Sequence, residues 1–122
     1  GSEMCIRDSH MIVAGTNQEM MACAANRLGE VGGGVSLWKD GSEVALVELP
    51  IAGLMSDSKA SDVAVKAQAI VSAMIDCGCT LNNAYMQHTL LALVVIPELR
   101  ISDLGLVDVN RFELTKIIET NF

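Results

Sequence analysis

Asp40-Gly41 restricts the fold of this chain more than any other pair of residues. It stands between two strand-like runs, residues 35–39 and 43–49. In the second run Val44, Leu46 and Glu48 alternate with Ala45, Val47 and Leu49. A two-residue Asp-Gly loop closes a hairpin through a type I′ turn, whose central positions both need the positive φ that these residue types tolerate. An antiparallel strand pair is therefore expected, ending at Pro50, which cannot donate to a strand ladder.

A helical stripe lies on either side of the hairpin. Before it, Thr16-Asn17-Gln18-Glu19 has the form of a capping box: the Thr16 hydroxyl can accept from the Glu19 N–H, and the Glu19 side chain can reach back. Met20, Ala24, Leu28 and Val31 follow on one helical face, and Gly32-Gly33-Gly34 stops the helix. After the hairpin, Asp57 or Ser58 can cap a second helix that carries Val63, Ala67, Ile70, Met74 and Cys77 on one stripe and ends at Gly78. Residues 11–14 form a short apolar run before Gly15 and read as a first strand. Residues 87–96 are almost continuously apolar and read as a buried strand, with 90–96 at the centre of the sheet. In the tail, 100–102, 106–109 and 112–117 read as short strands, the last as a strand or helical turn, with turn chemistry at Asp103-Leu104-Gly105.

The fold class expected is α+β, in the order β-α-β-β-α-β plus a tail, with a mostly antiparallel or mixed sheet and helices packed on it. A length of 122 residues suits one domain with a core of its own. Apolar residues make up 51% and aromatics 3%, so aliphatic side chains and methionine must fill that core. Gly1-Ser2 resembles a tag scar, and Met4-Cys5-Ile6-Arg7-Asp8-Ser9 the in-frame translation of a sequencing adapter. Residues 1–9 are therefore expected to stand outside the domain, which runs from 10 to 122.

Several functions are disfavoured. A net charge of −7 repels phosphate backbones, which argues against nucleic-acid binding. The longest apolar run, 90–97, is far below the roughly 18 residues of a membrane span. Cys5, Cys23, Cys77 and Cys79 show no disulfide framework, and a reduced, cytoplasmic setting is expected. The H-x-E and P-C-x-x-C pattern of zinc deaminases is absent, since His88 is followed by Thr89-Leu90 and Cys77-Gly78-Cys79 has no second pair. A nucleophilic pairing of Cys23 or Cys79 with His88 competes with the plainer reading of small core cysteines and a hydrogen-bonded structural histidine. His10 borders the foreign-looking leader. The three glycines close a helix and open none, so they do not match a phosphate loop. Trp38 reads as a half-buried strand residue with a binding role as the alternative, and Asp57, Asp103 and Asp108 fall at caps and turns.

One loop is unusual. Leu49-Pro50-Ile51-Ala52-Gly53-Leu54-Met55-Ser56-Asp57 leaves the hairpin with no charge before Asp57. A loop of that composition is normally covered, either by its own domain's tail or by another domain. Pro50, Ile51, Ala52, Gly53, Leu54, Met55, Ser56 and Asp57 are the candidate docking residues.

The same loop, together with His10 to Gly15 and Thr16-Asn17, Asn26-Arg27-Leu28, Gly32-Gly33-Gly34, Gly78-Cys79, Leu91-Ala92-Leu93, Ile96-Pro97-Glu98-Leu99-Arg100-Ile101-Ser102-Asp103 and Gly105-Leu106-Val107-Asp108-Val109, resembles the C-terminal domain of adenine deaminases from His10 to the end. Cys77 departs from the aliphatic residue, and Lys59 from the proline, that this family often carries at those positions. The resemblance implies a parent of the amidohydrolase superfamily, working in purine salvage and adenine catabolism, that hydrolyses adenine to hypoxanthine and ammonia. It implies a binuclear manganese or iron centre that activates water inside a (β/α)8 barrel preceding this domain. No catalytic, cofactor-binding or metal-ligating residue of that family transfers to this chain, whose two histidines are too few for a site built from four. The expected partner is the barrel, with Pro50 to Asp57 docking on it, and the fragment alone is expected to be inactive. The resemblance leaves homo-oligomerisation open. The alternative is a free-standing, non-catalytic binding or dimerisation module of the same fold.

Overall fold

The computed structural model describes residues 11–117. The elements run α1 (Gln18–Val31), β1 (Gly34–Lys39), β2 (Ser42–Glu48), α2 (Ala60–Asp76), α3 (Ala84–Leu90), β3 (Leu99–Ser102), β4 (Gly105–Asp108) and β5 (Glu113–Thr115). The fold is α+β, with two antiparallel sheets: the β1-β2 hairpin and the β3-β4-β5 meander. The chain divides into two compact units, one of Val13–Tyr85 and one that holds residues 86–117 with 11–12.

In the first unit the Asp-Gly turn closes the hairpin as its chemistry dictates, with φ of 51° at Asp40 and 81° at Gly41. Val35 pairs with Val47 and Leu37 with Ala45, and a bulge follows between Leu37 and Trp38. These four residues face α2. Ala45, Val47, Ile70 and Ala73 form the buried cluster, flanked by Val35, Leu37, Leu49, Val63 and Met74. The α2 stripe thus meets alternate residues of the hairpin, which is how two elements of different period share one core. Ile70 is only 2% exposed, and burying such a side chain contributes about 1.5–3 kcal/mol. Cys77, expected on the same stripe, is exposed at the helix end.

Polar contacts fasten the rim. Lys66 Nζ on α2 meets Glu48 Oε2 on β2 at 2.5 Å, and Arg27 of α1 bridges Glu30 at 3.0 Å and Glu43 at 2.9 Å. The hydrogen bond from Lys66 holds the Glu48 carboxyl below the usual carboxylate range. These groups are solvent-accessible, so each pair contributes little to stability.

Both helix starts differ from expectation by one or two residues. The cap of α1 is Asn17, whose Oδ1 accepts from Met20 N–H at 3.0 Å. Asn17 is extended, as a cap must be, and takes the place expected for Thr16. Lys59 precedes α2 in the cap position and supplies no side-chain cap, so neither Asp57 nor Ser58 plays that part.

Two expected strands are absent. Residues 11–14 are irregular, with Met11 and Val13 exposed. A strand exists only where another backbone pairs with it, which a lone apolar run does not guarantee. Residues 87–96 begin inside α3 and continue as turns: Leu91, Leu93 and Ile96 N–H groups donate three residues back to His88, Leu90 and Leu93. A continuous apolar run does not distinguish a buried strand from a helix, and here the helical and turn hydrogen bonds win.

The meander of the second unit falls where the tail patterns placed it. Ile101 pairs with Leu106 and Leu106 with Thr115, around a turn at Asp103 and Leu104. Backbone bonds from Ile101 N–H to the Leu91 carbonyl and from Val109 N–H to the Glu98 carbonyl, both 2.9 Å, tie the turns to this sheet. Leu93 and Val109 are buried there. No helix among the described residues is long and apolar enough to cross a membrane. The suspected leader, residues 1–9, and with it Cys5 and the neighbouring His10, lies outside the described residues.

Candidate docking site

The apolar loop after β2 is a tight, self-bonded turn. Leu54 N–H donates to the Ile51 carbonyl at 3.0 Å, and Ile51 and Met55 exchange backbone bonds at 3.1 and 3.2 Å. Its two central residues, Ala52 and Gly53, have φ of 57° and 71°. Glycine adopts this region freely, whereas alanine pays about 1–2 kcal/mol to do so. Backbone strain of this kind persists only where the surroundings impose it, and it gathers at binding sites and switches.

The surroundings in question are the three glycines that end α1. The Gly32 and Gly33 N–H groups close the helix on the Leu28 carbonyl. Gly33 then does a second task. Its carbonyl accepts from Leu49 N–H at 2.9 Å, and a Cβ at Gly33 would lie 2.5 Å from the Gly53 Cα. The loop backbone rests directly on the glycine backbone. Reading the glycines only as a helix stop missed this contact, although one glycine suffices for a stop and three are present.

The turn therefore points its side chains outward from a fixed base. Ile51 is 45% exposed, Leu54 40% and Met55 60%. Pro50, Ala52 and Asp57 are also exposed, while Gly53 and Ser56 are half-buried. Ser56 Oγ accepts from Ser58 N–H at 3.2 Å and so orders the exit towards α2.

The other candidates are scattered. Cys23 and Trp38 line an open cleft with Asn26, Arg27 and Glu30, and Trp38 Nε1 donates to Ser36 Oγ at 2.8 Å. Cys77 is exposed and Cys79 half-buried at the end of α2. Asp103 stands exposed in the β3-β4 turn. Asp108 Oδ1 accepts from Arg111 N–H at 3.1 Å, and its other oxygen lies 3.6 Å from the Arg111 guanidinium. His88 lies in α3 and not in a strand, and its Nε2 is buried without a hydrogen-bond partner, in contrast to the bonded histidine expected. Burial pushes its pKa below the usual 6.5.

Among the described residues no group of three or more His, Cys, Asp or Glu is gathered to hold a metal ion. The described residues do not gather the donor set that a binuclear centre needs.

The family model of the adenine deaminase C-terminal domain matches residues 4–113. The chain is 74% identical over 110 residues to an adenine deaminase of Ruegeria pomeroyi, which covers 90% of this chain and 18% of that protein. It is 73% identical over 111 residues to one from Roseobacter denitrificans, 91% of this chain and 18% of that protein. For an adenine deaminase of Clostridium botulinum the identity is 43% over 111 residues, 90% of this chain and 18% of that protein. The chain thus spans about 18% of the length of these curated relatives. On the family match and these identities, the chain belongs to the adenine deaminase C-terminal domain family.

Proposed function

We propose that residues 10–122 are an accessory, non-catalytic domain of a cytoplasmic adenine deaminase, and that the loop from Pro50 to Asp57 docks it on the catalytic barrel of that enzyme. In the whole enzyme, adenine and water give hypoxanthine and ammonia, and the barrel carries the binuclear manganese or iron centre that activates the water. The domain contributes no ligand to that centre.

One observation carries the reading. Ile51, Leu54 and Met55 stand out together from a turn whose backbone is strained and seated on glycine. Completing the burial of three such partly exposed side chains is worth about 1 kcal/mol each. A partner surface that covers them therefore outweighs the strain of the turn. The reaction in this reading rests on the name adenine deaminase that the relatives carry, and the partner on the 18% of their length that this chain spans.

The test replaces the matched segment of the Ruegeria pomeroyi enzyme with this chain. The chimera is expected to deaminate adenine, and the isolated chain is not. Changing Ile51, Leu54 and Met55 together to aspartate is expected to lower turnover by the chimera about ten-fold or more, the effect of losing 1.4 kcal/mol or more. The same changes should alter the stability of the isolated chain by less than about 0.5 kcal/mol per site, as exposed substitutions do. Hypoxanthine formed by the isolated chain removes the accessory reading. An aspartate variant as active as its parent removes the docking reading and favours the free-standing module.

A further inference from the structure

Building on the docking reading, we infer that the backbone of Gly32-Gly33 is the seat that sets the direction in which Ile51, Leu54 and Met55 are presented, which makes Gly33 a positioning residue for the docking loop. The loop's internal bonds, Leu54 to Ile51 and the Ile51–Met55 pair, fix its shape but not its orientation on the unit. Orientation comes from where the loop rests. It rests on Gly33 through the Leu49 N–H to Gly33 carbonyl bond and through the approach of Gly53, and on Gly32 through Pro50.

The three glycines of this contact differ in one useful respect. All have positive φ, 83° at Gly32, 118° at Gly33 and 71° at Gly53, so alanine is conformationally strained at each. The space differs. An added Cβ would meet Gly53 Cα at 2.5 Å from Gly33 and Pro50 Cα at 3.4 Å from Gly32, whereas from Gly53 its nearest neighbour is Gly33 Cα at 4.0 Å. Close-packed backbones cannot absorb the first of these without moving apart, while the last is ordinary contact. Conformational strain also grows from 71° to 118°, but it acts on the substituted residue's own segment, so alone it quickens Leu54 and Met55 most in Gly53→Ala, the one substitution inside the loop. A seat predicts a graded series.

The experiment is amide hydrogen exchange on the 122-residue chain and its Gly53→Ala, Gly32→Ala and Gly33→Ala variants, read at Leu49, Leu54 and Met55. Exchange at these amides is expected to quicken in the order Gly53→Ala, Gly32→Ala, Gly33→Ala. The last should be about ten-fold faster than the parent, corresponding to about 1.4 kcal/mol of local opening, with amides in the middle of α2 unchanged. If Gly33→Ala does not fold, the comparison of Gly32→Ala with Gly53→Ala decides alone. Equal effects in that pair, or a larger effect at Gly53, overturn the seat.

The same variants in the chimera separate the two readings. Adenine turnover that falls in the order of the exchange rates supports the seat as positioning the docking loop. Turnover indifferent to all three, with exchange still graded, overturns that positioning role alone, while the docking reading stands or falls with the aspartate variant of Ile51, Leu54 and Met55.

Discussion

Ala52 holds a φ of 57°, a conformation that glycine occupies without a Cβ penalty. Replacing it with glycine removes about 1–2 kcal/mol of strain and adds about 0.5–1 kcal/mol of unfolded-chain entropy. Ala52→Gly is therefore expected to stabilise the chain by about 0.5 kcal/mol, seen as a small rise in the urea midpoint. A loss of stability would mean that the Ala52 methyl makes contacts that outweigh its strain. His88 gives a pH signature at the same scale. Its folded pKa is depressed below 6.5 by burial, so the folded state keeps the ring neutral where the unfolded chain takes up a proton. The His88 contribution to stability is therefore constant above about pH 6.5 and declines as pH drops below it. Urea titrations from pH 8 to 5 should show this slope, and His88→Gln should flatten it. A slope unchanged in the variant would assign it to other groups.

The helices of the first unit differ in how their starts are satisfied. Asn17 caps α1 with a 3.0 Å bond, whereas α2 begins after Lys59, which offers no acceptor. Asn17→Ala should cost about 1 kcal/mol, and Lys59→Ser should add up to about 1 kcal/mol by supplying the missing cap. Thermal melts of the two variants should move in opposite directions, and a rise for Asn17→Ala would contradict the cap assignment. At this scale much of the fold was legible. The Asp40-Gly41 turn, the stripe of α2 and the first two tail strands follow from local chemistry, whereas the run at 112–117 stayed open between a strand and a helical turn and is β5. The cap of α1 was read one residue early because Thr16 and Asn17 are both competent and only the path of the backbone selects between them, and for α2 that path passes over both Asp57 and Ser58 to leave Lys59 at the cap. The run at 87–96 was misread because apolar continuity carries no period, and turn bonds around Leu93 settled what the pattern left open.

The whole molecule is acidic, with an isoelectric point near 4.6, and it leaves apolar side chains in water at Ile51, Leu54 and Met55 and at Leu104, Phe112 and Leu114. Repulsion between like charges keeps such surfaces apart at neutral pH. Light scattering by the isolated chain should rise as pH approaches 4.6 and subside at pH 7, and aspartate at Ile51, Leu54 and Met55 should reduce the rise. Scattering independent of both would show that these patches do not associate. Sequence alone determined the features that depend on neighbours along the chain: the hairpin turn, the helix stripes, the α+β class, and the apolar composition of the loop from Leu49 to Asp57. Its resemblance also reached the family, because several blocks match in order. Only the tertiary structure decided that Gly33 touches Gly53, twenty positions away, and that Ile51, Leu54 and Met55 therefore point to solvent. The physical reason is that a glycine's lack of a side chain is written in the sequence, whereas the backbone that fills the vacated space is chosen by the packing of α1 and the hairpin.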